Sequence, residues 1–78
     1  MELRKILAQN VRRLRRGKRL TQDDLAGMAH IDRTYVSDIE RCIYAATVDV
    51  LEELAWALEV EPSELLTARA PSERPAEM

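Results

Sequence analysis

The chain has 78 residues, of which 46% are hydrophobic and 33% are charged, so it can form one small domain and is too apolar to be disordered throughout. No apolar run reaches the roughly 18 residues that a membrane span needs, and no signal-peptide core follows Met1. We therefore expect a cytoplasmic protein that does not bind membranes. The single cysteine, Cys42, excludes an intrachain disulfide, and no residues have zinc-finger spacing. No metal, cofactor or small-molecule ligand is expected.

Charge is divided unequally along the chain. Residues 1–41 hold ten Lys and Arg against six Asp and Glu, a net charge of +4, whereas residues 42–78 hold two against eight, a net charge of -6. Residues 4–19 contain eight basic residues and no acidic one. Such a block either binds phosphate or forms a solvated helix surface, and the acidic half would keep DNA away from its own face.

The first two predicted elements are helices separated by a glycine. Apolar residues recur at steps of three and four, which predicts an amphipathic helix over 2–16 that ends at Gly17. Thr21 is followed three positions later by Asp24, the pattern of a capping box, and this pair predicts a second helix over 22–29.

A third short helix follows a tight turn at His30 and Ile31. Asp32 is expected to cap this helix, and Val36 and Ile39 mark its buried side. The opposite side is polar throughout, with Thr34, Ser37, Asp38 and Arg41 on it and Arg33 and Tyr35 on its flanks. Two short helices joined in this way, behind a basic helix, form an arrangement in which the second can enter the DNA major groove.

Two further helices complete a predicted all-α, five-helix domain. A fourth helix runs from a Thr47 cap through Leu58, and Pro62 starts a short fifth helix. The domain over 1–66 is followed by a flexible tail over 67–78, which has two prolines and no apolar periodicity. The side of the fourth helix expected to be buried consists of Val50, Leu51, Leu54, Ala55 and Leu58.

Two segments carry a family resemblance. LTQDDLA over 20–26 and IDRTYVSDIER over 31–41 resemble the helix-turn-helix of the Xre/Cro family of phage and bacterial repressors, over about residues 5–66. DRTYVS with IER is most similar to the controller proteins of restriction-modification systems. The resemblance implies a compact fold like that of lambda repressor. It also implies a transcriptional regulator that binds a pseudo-palindromic operator in double-stranded DNA as a homodimer and controls its own operon.

The resemblance also implies roles for the polar residues. Arg33 and Thr34 would face base edges. The Arg33 guanidinium can donate to both the O6 and the N7 acceptors of guanine, and the alternative is that it contacts phosphate alone. Asp38 either accepts a hydrogen bond from a cytosine amine or is a solvated acid. Arg15 and Glu40 would form a structural ion pair. Tyr35 and Ser37 would contact either the DNA backbone or thymine methyl groups. The residues expected at the DNA backbone are Arg12, Arg13, Lys18, Arg19, Gln22, Tyr35, Ser37 and Arg41.

The loop after the third helix departs from the family pattern. The family commonly has a glycine after the Glu-Arg pair and then basic residues, whereas this chain has CIYAA over 42–46. No cation lies between Arg41 and Thr47, so the loop arginine that assists base reading in controller proteins is missing. Specificity is therefore expected to depend more on Arg33.

The fourth and fifth helices contain candidate interface residues. Trp56 lies two positions off the apolar stripe of the fourth helix, so it either anchors an interface or is partly buried against the fifth helix or the tail. The family dimerises through the fifth helix and its neighbours, and a palindromic operator requires a two-fold dimer. The implied interface residues are Trp56, Val60, Leu65 and Leu66.

Other functional classes stay open. An antitoxin would repress and also bind a toxin, by ordering residues 67–78. A protein-interaction module that has lost DNA binding is compatible with the acidic total charge and the apolar loop. Catalysis is not expected, because no nucleophile, base and acid are placed to converge and the two glycines, Gly17 and Gly27, form no phosphate-binding loop.

Overall fold

A computed structural model describes residues 2–68, so the predicted tail lies outside the described residues from position 69 onward. Within this range there are five helices and no strand, which confirms the all-α prediction. No described helix is both long and apolar enough to span a membrane. The elements are α1 (Leu3–Gly17), α2 (Gln22–Ala29), α3 (Arg33–Glu40), α4 (Val48–Leu58) and α5 (Pro62–Leu65).

The predicted N-terminal caps of α2, α3 and α4 are all present. Thr21 Oγ1 accepts a hydrogen bond from the Asp24 backbone N–H at 2.9 Å, and Asp24 Oδ2 accepts one from the Thr21 N–H at 3.0 Å. Asp32 accepts from the N–H of Thr34 at 3.0 Å, and Thr47 caps α4 in a similar way. These bonds satisfy N–H groups that have no partner within the helix, which fixes where each helix begins.

The helix ends differ from the prediction, because Gly17 belongs to α1 and has no positive φ. The residue in the left-handed region after α1 is instead Arg19, with φ of 61°. His30, Cys42 and Glu59 follow α2, α3 and α4 with φ of 60°, 62° and 63°. A side chain in this region costs about 1 kcal/mol relative to glycine, so four sharp turns form without the residue best suited to them.

The core lies where the helices meet. α2 packs against α3 and α4, while α1 packs against α3, α4 and α5. Val36 and Ile39 on α3 are almost fully buried, as predicted. In α4 the expected side is only partly correct, because Val50 and Leu51 are half-buried. The largest fully buried side chains are Leu25, Ile39, Leu54, Leu58, Leu65, Val11 and Val36.

A buried amide attaches α5 to α1. Asn10, which is 2% exposed, donates from Nδ2 to the carbonyl oxygens of Glu64, Leu65 and Thr67 at 3.1, 2.9 and 3.0 Å. Nothing in the sequence pattern singled out Asn10. Its bond to Thr67 extends the folded contacts one residue beyond the predicted boundary at Leu66.

Candidate nucleic-acid interface

The first turn of α3 presents side chains to solvent. Arg33 and Thr34 are exposed, and the Thr34 N–H is held by the Asp32 cap. Among the described residues, the Arg33 guanidinium has no hydrogen bond or ion pair. Its five N–H donors are therefore available to an acceptor outside the chain. Later in the helix, Ser37 and Asp38 are half-buried.

A buried ion pair lies behind α3. Glu40 is 3% exposed. Arg15 of α1 donates two hydrogen bonds to its carboxylate, from Nε to Oε2 at 2.6 Å and from Nη2 to Oε1 at 3.0 Å. Arg15 Nη1 also donates to the Leu20 carbonyl at 2.8 Å. The family resemblance implied this ion pair, and the structure brings the two side chains together. Bidentate geometry fixes the angle between helices as well as their distance.

The pKa values of the pair shift in opposite directions. Burial raises the pKa of Glu40, but the hydrogen bonds from Arg15 and Gln22 outweigh it and leave the pKa below its usual value. The hydrogen bond to Glu40 raises the pKa of Arg15. Both groups are therefore held in their charged forms.

Two predicted phosphate ligands belong to the same network. Gln22 Nε2 donates to Glu40 Oε1 at 3.1 Å. Arg12 Nη2 donates to the Glu40 carbonyl at the end of α3, and its Nε lies 3.8 Å from Oε1. We call Glu40, Arg15, Gln22 and Arg12 the Glu40 network. The Arg12 side chain therefore has partners within the domain, and this position does not support the prediction that it contacts phosphate.

Two other basic residues of the predicted backbone set point elsewhere. Arg13 Nη2 donates to Asn10 Oδ1 at 3.2 Å, and Arg13 lines a cavity with Glu64 of α5 and with Thr67. Lys18 Nζ lies 2.8 Å from Glu59 Oε1 at the C-terminal end of α4. These positions do not support the prediction that Arg13 and Lys18 contact phosphates beside α3.

The remaining cations of the predicted set are free to bind. Arg19 is exposed in the turn before α2, and Arg41 is exposed directly after α3. Neither guanidinium has an ion pair among the described residues. Together with Arg33 they place three unpaired positive charges on the helix-turn-helix.

The apolar loop after α3 contributes an aromatic pair. The rings of Tyr35 and Tyr44 meet edge to face, with centroids 4.8 Å apart and an interplanar angle of 75°. Tyr35 is half-buried, whereas Tyr44 and Ile43 are 47% and 56% exposed. The neighbouring Tyr35 phenol raises the pKa of Tyr44 above its usual value. The departure of this loop from the family pattern is visible in the sequence, but no sequence pattern predicts a role for Tyr44.

The predicted interface residues do not share one surface. Leu65 is fully buried in the core, so its assignment to an interface is wrong. Val60 is half-buried against the same core. Trp56 is 69% exposed and lines a shallow cavity with His30, Glu52 and Glu53.

Leu66 lies on a different, apolar surface. It is half-buried and belongs to a groove of about 170 Å³ between the start of α1, the loop after α3, and α4. We call this the Leu66 groove. Its lining residues are Leu3, Arg4, Leu7, Ala45, Ala46, Leu51 and Leu66.

Known proteins are similar to this chain in sequence and in fold. The helix-turn-helix family profile matches residues 11–65. The HTH-type transcriptional regulator y4dJ of Sinorhizobium fredii is 42% identical over 67 residues, which cover 86% of this chain and 87% of that protein.

Solved structures agree with the sequence match. The hypothetical transcription factor NHTF from Neisseria has a TM-score of 0.85 and 39% identity, covering 99% of this chain and 86% of that one. The restriction-modification controller protein C.AhdI from Aeromonas hydrophila has a TM-score of 0.77 and 37% identity, covering 80% and 94%. This likeness confirms the controller-protein resemblance. The chain therefore belongs to the helix-turn-helix family of DNA-binding transcriptional regulators.

Proposed function

We propose that the protein binds a pseudo-palindromic operator as a homodimer, with α3 of each protomer in a major groove. The observation that carries this proposal is the exposed, unpaired first turn of α3, where Arg33 and Thr34 face solvent while Glu40 anchors the other end of the helix. A base-reading helix needs free donors and a fixed orientation. The two half-sites would lie about 34 Å apart, or a multiple of that distance.

Within each half-site, Arg33 pairs with the O6 and N7 acceptors of guanine, and Thr34 contacts the neighbouring base edge. Asp38, half-buried on the same face, accepts a hydrogen bond from a cytosine amine. The DNA backbone is held by a smaller set than the sequence suggested, because three basic residues have partners inside the domain. That set is Arg19, Tyr35, Ser37 and Arg41, together with Gln22, whose Nε2 has a second N–H beyond the one that it donates to Glu40.

The regulated gene class follows from the relatives. C.AhdI is a restriction-modification controller protein by name, and C.BamHI of Bacillus amyloliquefaciens is named a control protein. We place this chain in the same role, as a regulator of the operon that encodes it. The 1–66 segment is the DNA-binding unit of that regulator.

The dimer forms through the Leu66 groove. A two-fold interface brings the same patch of each protomer together, so a patch with like charges repels its own copy. Trp56 is flanked by Glu52 and Glu53, which would meet their counterparts across the axis. The Leu66 groove has an apolar lining apart from Arg4, and it joins residues of α1 and α4 with the loop after α3 and with Leu66 itself. It is the better self-complementary surface.

Selection of bound duplexes from a random pool tests the function, followed by titration of the selected duplex at two salt concentrations. Recovery of a pseudo-palindrome with guanine in each half-site, bound by two protomers, is the expected result. Arg33→Ala should weaken binding to this operator by about 1–3 kcal/mol and leave binding to random duplex nearly unchanged. Equal losses on both duplexes would show that Arg33 contacts phosphate only.

Matched charge variants separate the backbone contacts. Arg19→Ala should weaken all duplexes alike and lower the salt slope by about one, because one phosphate contact is lost. Lys18→Ala removes the same charge from a residue paired with Glu59, so its salt slope should stay at the wild-type value. Failure of the wild-type protein to bind any duplex would contradict the proposal and favour a protein-interaction role.

Sedimentation of two variants tests the dimer surface. Leu66→Glu places a charge in the Leu66 groove and should produce monomers, whereas Trp56→Ala should remain dimeric. The opposite pattern would move the interface to the Trp56 surface.

A further inference from the structure

The loop over 42–46 is hydrogen-bonded to the C-terminal part of α3. The backbone N–H groups of Ile43 and Tyr44 both donate to the Asp38 carbonyl, at 2.9 and 3.4 Å. The left-handed Cys42, with φ of 62°, makes the reversal that allows these bonds. The loop is therefore tied to the helix that we place in the major groove.

The Tyr44 ring contacts a side chain from the first turn of that helix. Its partner Tyr35 lies in the first turn of α3, next to Thr34, and the two ring centroids are 4.8 Å apart. An edge-to-face aromatic pair fixes the orientation of both rings. Tyr35, which follows Arg33 by two positions, is thus a positioning residue for the Tyr44 ring.

The exposed part of the loop is apolar where the surrounding surface is polar. Ile43 and Tyr44 remain 56% and 47% exposed, beside a helix whose other outward residues are charged or hydroxylic. Contiguous exposed apolar side chains in a soluble protein commonly mark a surface that a partner covers. No cation occurs between Arg41 and Thr47, so this loop cannot hold phosphate by charge.

In the major groove, the apolar group available to such a side chain is the 5-methyl group of thymine. We propose that Tyr44, positioned by Tyr35, packs against thymine methyl groups of the operator and determines specificity there in addition to Arg33. The inference rests on the proposed operator binding and assigns a further reader to it. Because an apolar contact releases no counterions, its contribution is independent of salt.

Titration of the selected operator with Tyr44 variants tests the contact. Tyr44→Ala should weaken operator binding by about 5- to 20-fold, with less than about a two-fold change on random duplex and an unchanged salt slope. Tyr44→Phe keeps the ring and should bind within about two-fold of wild type. Met28→Ala, which removes another exposed apolar side chain from α2, is the matched control and should bind like wild type.

A series of operators in which each thymine in turn is replaced by uracil removes single methyl groups and leaves the protein unaltered. At one position the loss for the wild-type protein should match that of Tyr44→Ala, and the variant should show no further loss there. A uracil series without any methyl-sensitive position for the wild-type protein overturns the inference even where the alanine variant is poorly folded.

Three results would overturn the inference while leaving operator binding intact. They are wild-type affinity of Tyr44→Ala, an equal loss with Tyr44→Phe, which would indicate a hydroxyl contact, and a uracil series without a position coupled to Tyr44. Absence of any duplex binding by the wild-type protein would overturn the proposed function together with this inference.

Discussion

The α1–α3 part and the α4–α5 part of the domain are held by different interactions. α1, α2 and α3 meet at the Glu40 network, where directional hydrogen bonds join three helices. α4 and α5 are held by apolar side chains such as Leu54 and Leu65, and the amide of Asn10 is their buried polar link to α1. Apolar burial is non-directional, whereas bidentate hydrogen bonds fix an angle. The part that must aim a helix uses the second kind.

The two parts also differ in charge. α1 contains six basic residues and no acidic one, and residues 48–65 contain six acidic residues and no basic one. The field of such a domain turns its basic side toward a polyanion before contact is made. Orientation of α3 is thus controlled both within the fold, by the Glu40 network, and during approach, by the charge distribution.

The largest expected effect comes from breaking the Glu40 network. Glu40→Gln leaves Arg15 buried beside a neutral amide, so the free energy of unfolding should fall by about 3–5 kcal/mol. Urea unfolding at neutral pH measures this loss. Glu52→Gln removes an exposed carboxylate from α4 and should change stability by less than about 0.5 kcal/mol. A loss for Glu40→Gln as small as that of the control would show that packing alone holds α3.

Acid should weaken the same network in the wild-type protein. The native pKa of Glu40 lies below its ordinary value of 4.5, so the native carboxyl binds its proton less readily than the unfolded one. The stabilisation is complete above pH 4.5 and is lost as the pH falls through the lower native value. Stability measured between neutral and acidic pH should therefore decline more steeply for wild type than for Glu40→Gln. Parallel curves would contradict the shift.

A smaller effect is expected from the polar link to the other part of the domain. Asn10→Ala removes the donor to three carbonyls, two of them at the end of α5, and should lower the free energy of unfolding by about 1–3 kcal/mol. Gln9→Ala changes an exposed neighbour on α1 and serves as the control. A loss for Asn10→Ala that equals the loss for Glu40→Gln would remove the distinction between the two parts.

The smallest effect is a gain in stability. Cys42→Gly relieves the side-chain strain of the left-handed conformation after α3 and should raise the free energy of unfolding by about 1 kcal/mol. Cys42→Ala removes the sulfur but keeps the Cβ atom, so it should give no such gain. A gain with alanine equal to that with glycine would assign the effect to the thiol and not to the backbone.

Local sequence patterns predicted the helix starts well. A capping side chain and the N–H group that donates to it lie within three residues of each other, as in Thr21 with Asp24. The interaction is therefore complete within a short segment. The end of α1 was predicted less well, because Gly17 suits a helix end but the chain reverses at Arg19. The fold class followed from the same local patterns, summed over five helices.

The site was harder to predict because its side chains depend on distant partners. The basic residues in and directly after α1 look equivalent in the sequence. In the structure, however, Arg12 binds the end of α3, whereas Lys18 binds Glu59. These partners are 28 and 41 positions away in the chain, so the packing of the helices decides which basic residue meets which partner. Arg15 was placed correctly only through the family resemblance. The loop departure was visible in the sequence, but its aromatic contact was not.

The amide of Asn10 bonds to residues 54, 55 and 57 positions later in the chain. A helix as short as α5, with four residues, cannot persist by itself, so its folded state depends on this bond set and on Leu65. Local opening of α5 should therefore need less free energy than global unfolding and should expose this end of the domain to proteases. In the proposed dimer the partner covers Leu66 and opposes that opening. The cellular lifetime of the regulator would then increase with its own concentration.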